Sequence, residues 1–349
     1  MKKILSLLLV GTMLFCLTAC GKSESQRFSK DFLELFDTAS KITAYDKSQK
    51  DFDEHFNLVY AKLEEYSKIL DIYNSYDDAV SLKQVNEAEA NAPVKVESTL
   101  LEAVDYGKKA YYMTDGRVNI AMGSVLSIWH TYRENGISDP ENAQLPDMKN
   151  LENAAKYTDI ESISVDYESS TITRKDENVK IDMGAVAKGF VCDKIAQYIE
   201  ENGIWQQAVV SLGGNIKTVG TKNNKPFEIA VESPTGSDYL TTLNVANGSS
   251  VVTSGGYQRY YTVGGKRYCH IINPDTLMPS DYFESVTVIS KSSALADALS
   301  TALFTLDIED GKALLNAVNS DSDNQQAYAL WVDKNSNITY SDNFKEEYL

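Results

Sequence analysis

Cysteine, histidine and positive charge are all scarce in this chain, and each shortage excludes something. Four cysteines among 349 residues are too few to staple a fold of this size, so stability must come from an apolar core, which a chain this long can build. Histidines number three. No H-E-x-x-H and no paired C-x-x-C occur, which removes zincins and zinc ribbons. No Walker A loop and no G-x-S-x-G elbow occur either, which removes P-loop NTPases and α/β-hydrolases with their usual motifs. Lys and Arg total 33 against 50 Asp and Glu, a formal charge of −17. Nucleic-acid binding needs a basic stripe to displace counterions from phosphate, so that class of partner is excluded. A phosphorylated small molecule is not, because a divalent cation can stand between carboxylates and phosphate.

Long hydrophobic runs are missing too. The apolar stretch Ile4 to Leu17, broken by Ser6, Gly11 and Thr12, is about 14 residues, short of the ~20 a spanning helix needs. Preceded by Lys2 and Lys3, it reads as a secretory h-region. It ends in Leu17-Thr18-Ala19-Cys20, which resembles the lipobox of bacterial lipoproteins. That resemblance implies a signal peptide over 1–19, a lipidated Cys20 heading a polar tether over 20–30, and anchoring to the outer side of the cell membrane. An ordinary secretory signal with a chance cysteine is the other reading. Loss of the two lysines would take the charge from −17 to −19. Cys192 and Cys269 remain, and whether they pair is not legible in sequence.

The rest, 31–349, reads as one α+β domain. Phe52, Phe56, Val59, Leu63 and Leu70 recur at helical spacing, as do Leu100, Leu101, Val104 and Tyr111. Ser124 to Tyr132 predicts a helix ending at Asn135-Gly136, and 137–156 a surface excursion. Short strands dominate from 160 onward, with hairpin signals at Glu168-Ser169-Ser170 and Gly264-Gly265. Val186 to Ile199 and Ser293 to Leu306 predict helices.

Four segments can carry chemistry. Ile181-Asp-Met-Gly-Ala-Val-Ala-Lys-Gly189 sits between a strand and a helix; glycines there let backbone approach a ligand, and the helix start suits an anion. Asp182 and Lys188 are its candidate polar groups, a capped helix with a solvent-facing lysine its bland alternative. In the nearly apolar run Ala294 to Phe304, Asp297, Ser300 and Thr301 share one helix face. A buried carboxylate is costly unless partnered, and carboxylate plus hydroxyl are hard donors suited to Mg²⁺; pairing of Asp297 with an Arg or Lys is the other reading. Thr253 to Tyr260 leads to His270, ahead of an Asn-Pro loop, where it can act as acid, base or ligand. His55 reads as solvated and His130 as packing. Ser211-Leu-Gly-Gly-Asn-Ile216 is the fourth segment, suited to close backbone contact with a ligand.

Together these motifs resemble the FAD:protein FMN transferase family, the ApbE-like flavin transferases, over residues 32–340. Asp182-x-Gly184-x-x-Ala187-Lys188-Gly189 matches D-x-G-x-x-A-K-G. Thr253-Ser254-Gly255 with Tyr257, Arg259 and Tyr260 matches T-S-G-x-Y-x-R-Y. His270-Ile271-Ile272 with Pro274 matches H-I-I-D-P, and Ala296-Asp297-Ala298 through Thr301 matches A-D-A-x-x-T. The stretch from Asp115-Gly116 to Trp129 resembles D-G-x-F-D-P-x-x-G-P-L-x-x-L-W. Asn119 and Asn273 depart from the pattern, standing where Asp is frequent.

The resemblance implies an α+β fold of mixed, largely antiparallel sheets with packed helices, a T-fold-like architecture. It implies Mg²⁺ held by Asp297, Thr301 and the carbonyl of Ala185. FAD, the substrate, would meet Asp182, Lys188, Arg117, Val118, Asn119, Ile272, Tyr73 and Phe36. The implied reaction joins the FMN half of FAD to a Thr or Ser hydroxyl of a target protein and releases AMP, with His270 as base, assisted by Asp182. The chain holds no good copy of the acceptor motif, so the target should be a separate protein. The competing functions are Mg²⁺-dependent FAD hydrolysis and a non-catalytic flavin- or substrate-binding lipoprotein.

Overall fold

A computed structural model describes residues 25–36, 38–221, 225–234, 236, 238–321 and 326–349. The expected signal peptide and Cys20 lie outside them. Strands β1 (Gln26–Phe32) and β2 (Ser40–Asp46) open the fold, followed by α1 (Gln49–Leu70), α2 (Leu82–Glu87), β3 (Val94–Lys95), α3 (Ser98–Met113), α4 (Gly123–Ser138) and α5 (Met148–Ala155). Then come the β4 (Ile163–Asp166) and β5 (Thr171–Arg174) hairpin, α6 (Ala187–Glu201), β6 (Gln207–Leu212), β7 (Asn215–Gly220), β8 (Phe227–Glu232), β9 (Tyr239–Val245) and β10 (Ser250–Gly255). The chain closes with β11 (Tyr260–Val263), β12 (Lys266–Cys269), β13 (Ser285–Ser290), α7 (Ser293–Phe304), α8 (Ile308–Ser320), β14 (Ala327–Val332), β15 (Ile338–Tyr340) and α9 (Phe344–Tyr348).

The body is an eight-stranded sheet in the order β1-β2-β6-β7-β10-β13-β14-β15, every pairing antiparallel. Its strands never reverse their chain order across the sheet, so all other elements are excursions between neighbours. Strand β13 is buried along its whole length because both faces are covered, and its side chains alternate between them. Val286 and Val288 pack with Leu295, Leu299 and Leu303 of α7. Ile289 faces the other way, into a core with Phe227, Val231 and Leu243 of the β8–β9 hairpin and Phe344 of α9. The large core under α1, α3 and α6 uses the periodic Phe52, Phe56, Val59 and Leu63. A smaller one gathers Trp129, Leu151, Tyr261, Ile272 and Leu277.

Several sequence expectations change. Helix α4 runs through Asn135-Gly136 to Ser138. Gly136 serves close packing, since a Cβ there would lie 2.5 Å from Cδ2 of Tyr261. The 137–156 stretch contains α5, whose Leu151 is fully buried. His55 is not simply solvated: Nδ1 lies 2.6 Å from Oδ2 of the buried Asp46, which also accepts from Trp205 Nε1 at 2.9 Å. Cys192 and Cys269 are both free and buried.

Candidate active site

Helices α6 and α7 cross where α6 has no room for a side chain at Gly189. A Cβ on Gly189 would come within 2.4 Å of the Ser293 carbonyl oxygen and 2.6 Å of Cβ of Asp297. That closeness lets the Gly189 N–H donate to Asp297 Oδ2 at 2.8 Å. We expect Gly189→Ala to push the helices apart at a cost of about 1–3 kcal/mol, as overpacking does; urea unfolding measures it, and an unchanged midpoint would refute the tight crossing.

Asp193, one turn along α6, fixes the start of α7. Its carboxylate accepts from Ser292 Oγ and from the Ser293 and Ala294 N–H groups at 3.0–3.1 Å. The buried Lys217 completes the cluster, with Nζ 2.9 Å from Asp193. Asp297 therefore projects from a helix held at both its crossing and its N-terminus.

Asp297 is 2% exposed. Burial raises its carboxyl above the usual range, opposed by Lys188, the Gly189 N–H and Asn215. Its Oδ1 has Lys188 Nζ for company only at 4.0 Å, too far for a good hydrogen bond. Both outcomes weighed from sequence are thus partly realised: a cation is near, but not in bonding contact. Ser300 is occupied elsewhere, at 2.8 Å from Ser254 Oγ and 3.0 Å from the Asp297 carbonyl. Thr301 Oγ1 is only 3.4 Å from Ser254 Oγ.

The segment carrying Asp182 is clamped from a distance. The Asn86 side chain pairs with the Ile181 backbone in both directions, accepting from its N–H at 2.7 Å and donating to its carbonyl at 2.8 Å. Buried Arg174 spends its guanidinium on the carbonyls of Val85, Ala88 and Val179, among others. Asp182 then accepts from Gly184 N–H at 2.8 Å. Burial raises its carboxyl, against the pull of that hydrogen bond, His130 and Lys188.

His270 Nδ1 lies 3.2 Å from the Arg259 carbonyl oxygen. A carbonyl can only accept, so Nδ1 carries the hydrogen and Nε2 keeps a lone pair. Burial, with Arg259, Lys188 and Arg133 nearby, holds its pKa down to about 3. The ring is neutral at physiological pH.

Phe36, Tyr73, Arg117, Val118, Asn119, Asp182, Ala185, Lys188, His270, Ile272, Asp297 and Thr301 all line one cleft of about 480 Å³. Arg117 there pairs with Asp275 at 2.5 Å. The two departures from the family pattern have local reasons. Asn119 donates to the Thr158 carbonyl at 2.8 Å and Asn273 to the Thr305 carbonyl at 3.0 Å, bonds an aspartate could not make. The sequence did not point to Arg133, and His130 does more than pack: both line the cleft, 2.7 Å apart from Nη2 to Nδ1. The His130 ring sits 5.3 Å from that of Tyr73. A histidine one turn before an arginine on one helix was the available signal.

The donors at the cleft floor suit a hard cation. A carboxylate oxygen of Asp297 whose nearest cation stands 4.0 Å away, the Thr301 hydroxyl and the backbone at Ala185 all line this cleft. Among the described residues no group of three or more His, Cys, Asp and Glu is gathered that could hold a metal. Mg²⁺ typically takes one or two carboxylates and completes its shell with substrate phosphates and water, so the residues present fit it in that mode.

Known proteins share the sequence pattern and the fold. The chain is 30% identical over 286 residues to the FAD:protein FMN transferase of Klebsiella pneumoniae (strain 342), covering 79% of this chain and 84% of that one. It is 27% identical to the Haemophilus influenzae protein of the same name, covering 88% of each. The crystal structure of the ApbE protein from Thermotoga maritima superposes with a TM-score of 0.78 at 26% identity, covering 92% of this chain and 99% of that one. The flavin transferase ApbE from Vibrio cholerae shares the fold, with a TM-score of 0.74 at 22% identity over 93% of this chain and 99% of that one. Residues 36–326 match the ApbE family as a whole, and the chain belongs to that family.

Proposed function

We propose that this enzyme is a flavin transferase that attaches the FMN half of FAD to a Thr or Ser hydroxyl of a separate target protein through a phosphoester bond, releasing AMP, in a reaction that needs Mg²⁺. The observation that carries the reading is Asp297: a buried carboxylate facing a cleft, one oxygen committed to Gly189 and the other without a close partner. The names of the curated relatives support the flavin and the protein acceptor.

In this reading Asp297, Thr301 and the Ala185 carbonyl hold the cation, which when bound neutralises charge on the pyrophosphate. Lys188 and Arg117 place positive charge along the same cleft and position the phosphates. Tyr73 and Phe36 flank the flavin. His270 accepts the hydroxyl proton at Nε2 as the acceptor oxygen bonds to the FMN phosphorus, while the phosphorus–oxygen bond to AMP breaks in line. Asp182, which lines the same cleft, assists. Lipobox-like Leu17 to Cys20 supports a lipid anchor at Cys20 that places the enzyme outside the cytoplasm on the cell membrane.

Incubation with FAD, Mg²⁺ and a Thr-bearing target should add one FMN mass to the target and release one AMP. Free FMN plus AMP without labelling would replace transfer by FAD hydrolysis. Retention of intact FAD with every target tried would leave only a binding protein.

A further inference from the structure

The Gly213-Gly214-Asn215 segment has no part in the mechanism above, yet its geometry is specific. Strands β6 and β7 are joined through Gly213 and Gly214, at φ +49° and +90°. Both values lie in the left-handed region, as a two-residue hairpin turn demands and glycine permits. The turn is also tight against its surroundings, since a Cβ on Gly213 would fall 1.8 Å from Oγ1 of Thr38. Beyond it, Asn215 faces Val252 in the β7–β10 ladder. The Gly214 carbonyl accepts from Thr253 N–H at 3.0 Å, and the Asn215 carbonyl receives the Cys192 thiol at 3.8 Å. The backbone thus fixes where the Asn215 side chain stands.

That side chain is 1% exposed and belongs to the cleft wall. Its Nδ2 is buried and makes no hydrogen bond, an arrangement that costs about 1–3 kcal/mol when left uncompensated. On the same cleft the amide stands beside the Asp297 carboxylate without a formed hydrogen bond. Carboxylates that ligate metals are themselves held by outer hydrogen bonds. Gly189 N–H supplies one such bond at 2.8 Å, and the Asn215 amide is a donor still unspent.

We infer that Asn215 is a positioning residue for Asp297: its amide closes onto the carboxylate when the other oxygen turns to the cation, fixing the orientation in which the metal is held. The inference rests on the proposed metal-assisted reading of the cleft. It gives the glycine pair a purpose, which is to drop an amide from a sheet hairpin beside a helix carboxylate.

The test is a Mn²⁺ titration followed by electron paramagnetic resonance, on the full chain with FAD present. Asn215→Leu keeps the approximate shape and removes the donor. Its Mn²⁺ affinity should fall about 10–100-fold, the range typical for outer-shell partners, while FAD affinity measured in EDTA stays within about twofold of wild type. Unchanged Mn²⁺ affinity would overturn the inference. So would a parallel loss of FAD affinity in EDTA, which would mean that Asn215 only shapes the cleft. If Asn215→Leu does not fold, a wild-type structure with FAD and Mn²⁺ decides: Asn215 Nδ2 within about 3.2 Å of an Asp297 oxygen supports it, and a separation beyond about 3.5 Å overturns it. Failure of the wild type to bind Mn²⁺ at all would instead bring down the metal reading, and this inference with it.

Discussion

Asp297→Asn should lower flavin transfer by about a thousandfold or more, the scale on which loss of a main electrostatic stabiliser is felt. The same change should leave the melting temperature in metal-free buffer equal to or above that of wild type. The reason lies in burial: the folded state raises the Asp297 carboxyl above its ordinary range. A group shifted upward contributes stability below its unfolded pKa and loses it as pH rises through the folded value. At neutral pH the wild type therefore bears the cost of a buried charge that the amide does not. The variant's advantage should widen from pH 4 toward pH 8 and close when Mg²⁺ and FAD are added to both, because ligand that binds the folded form stabilises only the wild type there. Differential scanning fluorimetry across that range reads it directly. A variant that unfolds would make Asp297 a structural partner of Lys188 and refute its assignment to the metal.

Replacing His270 by Gln should cost about 10²–10⁴-fold in kcat, the usual contribution of a general base, with FAD affinity little changed. The pH profile carries the sharper test. His270 is held down to about 3, so in the free enzyme it is already neutral at pH 5–8 and contributes no step near 6.5. The acid limb of kcat/KM belongs instead to Asp182 and Asp297, both raised, and should survive in the residual activity of the variant. A limb near pH 6.5 that vanishes with His270 would show the ring titrating normally. The same depressed value has a stability consequence of opposite sign to that of the carboxylates. Below about pH 6.5 the unfolded chain takes up a proton that the folded ring refuses, so this site loses stability as pH falls toward 3.

Much of the cleft was legible because its signals are local. A polar stripe in an apolar helix put Asp297 and Thr301 on one face, and a strand–glycine–helix passage marked Asp182 and Lys188. The glycine pair Gly264-Gly265 named a hairpin whose positive φ angles the structure bears out, whereas Gly213-Gly214, read only as a place for close backbone contact with a ligand, also turns a hairpin, between β6 and β7. Convergence in space was not legible. Asn86 clamps Ile181 across 95 residues of chain, a bond no spacing rule contains. Tyr73, beyond the end of α1, meets His130 on α4 only because tertiary packing brings those elements together. Gly136 imitates a helix stop, yet its missing side chain makes room for Tyr261, and the helix continues. Distance in sequence, not weakness of signal, separates the two groups.

The unreversed strand order of the sheet bears on the order of folding. Folding from the N-terminal edge can add each strand to the edge most recently laid down, with no threading and no strand held in reserve for a later insertion. The cleft does not share this economy. Its walls draw on residues from Glu34 to Thr301, so the cleft closes only after most of the sheet is in place. Closure of the cleft is therefore a late event in folding by topology alone, and a ligand that needs all its walls meets an essentially finished protein.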